Sequence, residues 1–217
     1  MFDYKDISEE HLKAHIDRII DVMKQIPLHK VTILTGGNAL GKSLIRKQLP
    51  FHISEKLDVE GVKHDIRHVV SSTSMQLRTE QRPEWGALSS CMHDAPWAST
   101  SESTVRLINS LIKEDQPTDR FIVIDELEIG MSREVIVGMC NYINEHYNEL
   151  INKSYGILVI THSEDVVRTL KHDEFINIEG MSEQEWITRT IEPVDPELLG
   201  DWADKLFRAI ENRLHKV

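Results

Sequence analysis

The fold is decided by the stretch KVTILTGGNALGKSLIRKQL, residues 30–49. Its first six residues, 30–35, are rich in β-branched side chains, and this predicts a buried strand. A turn with three glycines follows, and then a helical stretch from Lys42 towards Leu49, which Pro50 is expected to end or kink. The order of strand, glycine-rich turn and helix is the context in which a phosphate-binding loop occurs.

The turn matches the pattern G-x-x-x-x-G-K-[ST] in full. Its residues are Gly36, Gly37, Asn38, Ala39, Leu40, Gly41, Lys42 and Ser43. Glycines let the backbone curl with its N–H groups facing inward, and the start of the following helix adds a positive dipole end. We expect Lys42 to neutralise the β- and γ-phosphates of ATP and the Ser43 hydroxyl to bind Mg²⁺.

Two acids follow the apolar run at residues 121–124, which predicts another fully buried strand further along the chain. Asp125 stands where that strand should emerge beside the nucleotide, and it is the expected second ligand of Mg²⁺. Because side chains alternate along an extended chain, Glu126 is predicted to point differently and to act as the general base for a water molecule. The next apolar run, 157–160, ends at Thr161 and His162, and we expect His162 to sense the γ-phosphate as a hydrogen-bond donor.

The remaining pattern predicts an α/β fold. Helical stripes cover residues 8–26, 105–112 and 136–150, with Ser8 and Ser132 as expected caps. Continuous apolar runs separated by helices are typical of a mostly parallel sheet with helices on both faces.

Four further segments complete this interpretation. Residues 67–72 are a candidate second strand, and residues 73–98 lack a clear period. Residues 175–178 and 186–188, with Gly180 between them, are predicted to form a hairpin. Residues 195–217 carry an apolar face and should form a closing helix. No internal repeat or linker divides the chain, so residues 1–217 are expected to form one domain.

In their order, these motifs resemble those of the ATP-binding-cassette (ABC) class of P-loop NTPases. The similarity is to its soluble branch, which includes the SMC-type ATPases and the predicted AAA-family ATPases of phage, mobile-element and defence systems. Asn38 lies in a loop similar to the G-x-N-G-x-G-K-S form of that class, with Ala39 replacing a glycine. The stretch DELEIGMS, residues 125–132, resembles D-E-P-E-I-G-L-S, with Leu127 replacing the usual proline. His162 matches the switch histidine of the class.

The resemblance implies an ATP-dependent, head-to-tail homodimer that hydrolyses ATP and acts on a separate protein partner. In the class, a signature on one subunit binds the γ-phosphate held by the other. Ser99, Ser101 and Glu102 stand at that place, although an ordinary helix cap explains them equally well. The resemblance also implies a glutamine that senses Mg²⁺, for which Gln76 is the first candidate and Gln81 the second.

Other family features are reduced in this chain. The short spacing from Lys42 to Ser99 implies a short helical arm within a subregion of residues 73–115. Tyr4 and His29 are the aromatic candidates near the expected base, and neither supports adenine specificity.

Composition limits the other function classes. The net charge is −11 and the sequence pI is about 5.4, so nucleic acid is expected as a partner only indirectly. No apolar run reaches the length of a membrane span, and the N-terminus does not resemble a signal peptide. Cys91 and Cys140 show no pairing pattern, and we expect a reducing, cytoplasmic location.

The sequence leaves two alternatives to the dimeric ATPase open. A monomeric P-loop kinase would need an arginine-bearing lid, for which the region of Arg78 and Arg82 is the candidate. A nucleotide-gated interaction module would bind ATP with little hydrolysis. A zinc site at His11 and His15 is disfavoured because no third ligand lies nearby in sequence.

Overall fold

Five parallel strands form the centre of the computed structural model, which describes residues 8–65, 70–73, 109, 120–190 and 195–214. For residues 70–73 and 210–214 only the backbone is described. The strands are β1 (Val31–Thr35), β2 (Val70–Thr73), β3 (Phe121–Asp125), β4 (Gly156–Ile160) and β5 (Glu174–Asn177). Their order across the sheet is β2-β3-β4-β1-β5, and every neighbouring pair is parallel. The expected parallel α/β architecture is confirmed.

Helices cover both faces of the sheet. The first face carries α1 (Glu9–Gln25), α2 (Lys42–Val59) and α7 (Pro196–Leu214). The second face carries α3 (Arg133–Glu145), α4 (Tyr147–Lys153), α5 (Glu164–Thr169) and α6 (Glu183–Thr188). Strand residues alternate between the two cores: Phe121 and Val123 pack with the first face, and Ile122 and Ile124 with the second. Burial on both sides explains why the strands read as continuous apolar runs.

Helix α1 confirms the predicted N-terminal helix and its cap, since the Ser8 hydroxyl accepts a hydrogen bond from the His11 N–H. The predicted helix at 136–150 is two helices, α3 and α4, with His146 between them. Ser132 stands at the N-cap of α3, but its side chain makes no capping hydrogen bond.

Of the two expectations at Pro50, an end or a kink of the helix, the end is wrong, because α2 continues through that residue to Val59. Proline within a helix costs about 3 kcal/mol through its missing N–H and its clash with an earlier carbonyl. A stripe of four fully buried aliphatic residues, Ile45, Leu49, Ile53 and Leu57, spans both sides of it. Burying each such side chain contributes roughly 1.5–3 kcal/mol, which outweighs the cost of the proline.

The predicted C-terminal hairpin is wrong. Phe175 and Ile176 lie in β5, which pairs in parallel with β1, and Trp186 and Ile187 lie in α6. Ser182 and Glu185 form a reciprocal capping box that starts this helix, and its apolar residues then pack into the second core. The pattern S-x-x-E was the local signal for a helix at this place.

Candidate functional site

The carboxyl ends of β1, β3, β4 and β5 meet at one edge of the sheet, because all the strands run in the same direction. From neighbouring strands β1 and β4 the chain leaves towards opposite faces, into α2 on the first and into α5 on the second. In open α/β sheets, ligands bind in the crevice that such a divergence creates. The loop at residues 36–43 and His162 both lie at this crevice.

The loop after β1 winds tightly into α2. Ala39 and Gly41 adopt left-handed backbone conformations, with φ of 58° and 96°. Gly41 is the N-cap of α2, and its carbonyl accepts hydrogen bonds from the N–H groups of Leu44 and Ile45. Ala39 carries a side chain at a backbone position that favours glycine, at a cost of roughly 1–2 kcal/mol.

Lys42 lies across the mouth of this loop. Its Nζ donates to the carbonyls of Gly36 at 2.9 Å and Gly37 at 2.7 Å. Burial lowers the pKa of Lys42 from 10.5 to about 8, while the charges of nearby acids, Glu126 and Asp125 first, act to raise it. The ammonium is therefore partly desolvated and lies in the field of the acids that follow β3.

Asp125 lies on the face of β3 that points to α2, and its Oδ2 accepts a hydrogen bond from Nη1 of Arg46 at 2.8 Å. Both side chains are 13% exposed, so the pair is largely shielded from solvent. Sequence reasoning missed Arg46. The available signal was its spacing of four residues from Lys42, which places the two cations on one side of α2.

Glu126 follows the last residue of β3, and its backbone corrects the argument from strand alternation. Its φ is 55°, in the left-handed region, so a turn rather than the strand pleat sets the direction of its side chain. Its N–H continues the sheet by donating to the Ile160 carbonyl at 2.8 Å. Burial raises the pKa of the Glu126 carboxyl, and the charges of Asp125 and Glu128 raise it further.

His162 follows β4, which lies between β1 and the acid-bearing strand β3. Its pKa falls from 6.5 to about 4, chiefly because of burial and then because of the charges of Lys42 and Arg189. The imidazole is therefore neutral at pH 7 and carries one ring N–H to donate.

Glu128, which sequence reasoning gave no role, holds the backbone at His162. Its Oε1 accepts the His162 N–H at 2.7 Å, and its Oε2 is buried with no hydrogen-bond partner among the described residues. This contact joins the turn after β3 to the end of β4. The acid at the fourth position of DELE was visible in the sequence, but its partner was not.

The loop after β5 holds the beginning of the glycine-rich loop at residues 36–43. Oε2 of Glu179 accepts the N–H of Gly37 at 3.1 Å. Asn177 fixes this acid, since its Oδ1 accepts the Glu179 N–H and its Nδ2 donates to the Thr35 hydroxyl at 3.0 Å. These residues were also missed, because the predicted hairpin would have placed them elsewhere.

The other predicted residues divide into two groups. Gln76, Ser99, Ser101 and Glu102, with the alternatives Gln81, Arg78, Arg82 and Tyr4, lie outside the described residues. His29 precedes β1 at the opposite edge of the sheet and pairs with Glu60 at 3.5 Å, so it cannot serve as a platform for the base. Within the described ranges, no group of three or more His, Cys, Asp or Glu side chains is arranged to hold a metal ion.

Comparison with models of protein families and with curated proteins finds no match to this chain.

Among the helices that the structure describes, none combines the length and apolar character needed to cross a membrane. Cys140 is a buried free thiol, and burial raises its pKa to about 12.

Proposed function

We propose that the chain binds Mg-ATP at the crevice between β1 and β4 and hydrolyses it. One observation carries the proposal: the phosphate-binding pattern, the acid pair and the histidine, which are far apart in sequence, follow three strands that are neighbours at one sheet edge. The electrostatic coupling of Lys42 to Asp125, Glu126 and His162 supports it, because the coupling requires these groups to be near one another.

The loop at residues 36–43 and the N-terminus of α2 would hold the phosphates. Lys42 would exchange its two carbonyl partners for the β- and γ-phosphate oxygens, which are stronger, charged acceptors. Burial lowers the pKa of Lys42 to about 8, so an anion bound beside this partly desolvated ammonium would meet little competing water.

Ser43 and Asp125 fit Mg²⁺, which prefers hydroxyl and carboxylate oxygens and shares its coordination with phosphates and water. Burial raises the pKa of Glu126 first, and the neighbouring charges of Asp125 and Glu128 raise it further; a divalent cation would relieve this repulsion between the acids. When bound, Mg²⁺ would neutralise charge on the β- and γ-phosphates. Arg46 now holds Asp125, so this carboxylate would have to share or exchange its partner.

Glu126 is the proposed general base. A carboxyl with a raised pKa takes up a proton from water more readily near neutral pH than an ordinary glutamate does. Its left-handed backbone costs roughly 1–2 kcal/mol, and such strain is concentrated at functional sites. Neutral His162 would donate a hydrogen bond to the γ-phosphate from the neighbouring strand end.

The dimer rests on the resemblance to ABC-class ATPases. In that arrangement Ser99, Ser101 and Glu102 of one copy would complete the site of the other, and Gln76 would contact the metal ion. Binding and hydrolysis would then change the association of two copies, and a separate protein partner would use that change.

The test compares wild type, Glu126→Gln and, as a matched control, Glu145→Gln, which changes an exposed glutamate on α3. We expect Glu126→Gln to lose ATP turnover by at least a hundredfold and to elute as a dimer only with Mg-ATP, while Glu145→Gln behaves as wild type. Normal turnover by Glu126→Gln, or absence of Mg-ATP binding by the wild type, would refute the proposal.

Two measurements with the same proteins separate the alternatives. Turnover per subunit that does not depend on protein concentration, with phosphate transferred to a small acceptor, would identify a monomeric kinase. Mg-ATP binding by the wild type without turnover would identify a nucleotide-gated module.

A further inference from the structure

The carbonyl of Leu40, inside the phosphate loop, is bonded to a side chain of α1. Nε2 of His15 lies 3.1 Å from the Leu40 oxygen, and His15 is 3% exposed. A carbonyl oxygen only accepts hydrogen bonds, so Nε2 must carry the proton and donate it. Burial keeps the imidazole neutral at pH 7, because it lowers the pKa of His15 to about 4.

We propose that His15 is a positioning residue for the phosphate loop, fixing the peptide that joins Leu40 to Gly41. In a trans peptide the C=O and the following N–H lie in one plane and point in opposite directions. His15 draws the Leu40 oxygen towards α1, so the Gly41 N–H is directed away from α1. The inference rests on the proposed function, in which the loop N–H groups bind phosphate.

Two further contacts act together with His15 against a flip of this peptide. The Leu40 side chain is fully buried in the first core. A Cβ at Gly41 would lie 2.5 Å from Cδ1 of Ile19, so α1 packs directly against the loop backbone there. Flipping the peptide would break the hydrogen bond between the Leu40 carbonyl and the buried His15 imidazole. The free-energy cost of that break corresponds to about tenfold weaker Mg-ATP binding.

The imidazole is itself held by α7. The indole of Trp202, which is fully buried, meets the His15 ring edge to face, with centroids 5.4 Å apart. His11 meets the same indole at 5.5 Å. The C-terminal helix therefore supports the N-terminal helix, which in turn holds the loop, although neither helix belongs to the phosphate-binding motif.

The experiment uses three variants. His15→Gln keeps an N–H donor near the position of Nε2, His15→Leu removes the donor but retains apolar bulk, and His11→Leu removes the other ring that packs on Trp202. We expect Mg-ATP to bind His15→Leu about tenfold more weakly, and to bind His15→Gln within about threefold of wild type. His11→Leu should match the wild type.

Two NMR measurements on the nucleotide-free protein do not depend on ATP binding. Imidazole nitrogen shifts of the wild type should show His15 neutral with the proton on Nε2. Amide exchange at Gly41 should be faster in His15→Leu than in wild type, and should return to the wild-type rate in His15→Gln.

Each outcome decides a defined point. A proton on Nδ1, or His15→Leu with wild-type affinity and wild-type Gly41 exchange, would overturn the role of His15 while leaving the proposed ATPase intact. If His15→Leu fails to fold, the imidazole nitrogen shifts of the wild type and the Mg-ATP affinity of His15→Gln still test the role of His15. If the wild type does not bind Mg-ATP, the proposed function fails and the role of His15 in binding fails with it.

Discussion

Lowering the pH should reduce the free energy of unfolding of this protein, because His15 is buried in the folded state. The pKa of His15 falls from 6.5 to about 4 because of burial, with smaller contributions from the charges of Arg18 and His11, while the hydrogen bond to Leu40 acts in the opposite direction. Each pKa unit corresponds to about 1.4 kcal/mol, so the full effect is about 3 kcal/mol. This is a large fraction of the stability of an ordinary domain.

The direction of this pH dependence follows from whether the folded or the unfolded chain binds more protons. Above pH 6.5 His15 is neutral in both the folded and the unfolded chain, and it contributes no pH dependence. Between pH 6.5 and about 4 the unfolded chain takes up a proton that the folded chain refuses, so the free energy of unfolding falls as the pH falls. About 2 kcal/mol should be lost by pH 5, and the loss should level off below about pH 4.

Urea unfolding of wild type and His15→Gln at a series of pH values measures this effect. Other histidines and the carboxylates titrate in both proteins, so they cancel when one stability profile is subtracted from the other. The difference should be constant above pH 7 and should shift by about 2 kcal/mol in favour of His15→Gln at pH 5. Parallel profiles for the two proteins would refute the reasoning, since they would mean that His15 takes up its proton equally in both states.

Three further outcomes are expected. Gly156→Ala should lower the free energy of unfolding in urea by about 2–4 kcal/mol, because φ is 135° at this residue and the added Cβ would lie 2.7 Å from a carbon of the buried Phe121 ring. Gly138→Ala, at an open position in a helix, should instead raise the free energy of unfolding by up to about 1 kcal/mol. Equal changes in the two variants would contradict the packing at Gly156. Since burial lowers the pKa of Lys42 to about 8, calorimetry should find weaker Mg-ATP binding at pH 9 than at pH 7 in wild type and little pH dependence in Lys42→Met. Glu128→Leu should lose about 1–3 kcal/mol of stability in urea because the partly buried N–H of His162 loses its charged acceptor. Glu128→Gln keeps an acceptor oxygen and should lose less, so equal losses in the two variants would argue against this contact.

Much of the sheet could be predicted because its strands are buried on both faces. The runs at 121–124 and 157–160 are apolar at every position, since alternate residues such as Ile122 and Val123 pack into different cores. The loop at 36–43 could also be predicted, because its requirement for glycines, lysine and serine is local. Both signals are properties of consecutive residues.

The sequence-based predictions failed where contacts between residues far apart in the chain determine the structure. The segment around Phe175 is compatible with a hairpin on local grounds, but β1 offers it a parallel partner. Pro50 indicates a helix end or kink on local grounds, and the end does not occur because the buried stripe of α2 continues past it. The contacts of Arg46, Glu179 and His15 join segments that no local pattern connects, so the sequence could name the candidate ligands of a phosphate but not the residues that hold them in place.

The strand order carries the largest consequence that no local pattern could supply. Because β4 lies between β1 and β3, the phosphate loop and the acid pair are two strand spacings apart, roughly 10 Å. At that separation Lys42 is bonded to the loop carbonyls and Asp125 to Arg46, and His162 emerges between them. In the proposed complex with Mg-ATP, the γ-phosphate, its metal ion and a water molecule would lie beside all three strand ends. If β1 and β3 were neighbours, β4 and His162 would lie to one side of them instead of between them. The observed order therefore favours a ligand that extends across the crevice from the end of β1 to the end of β3.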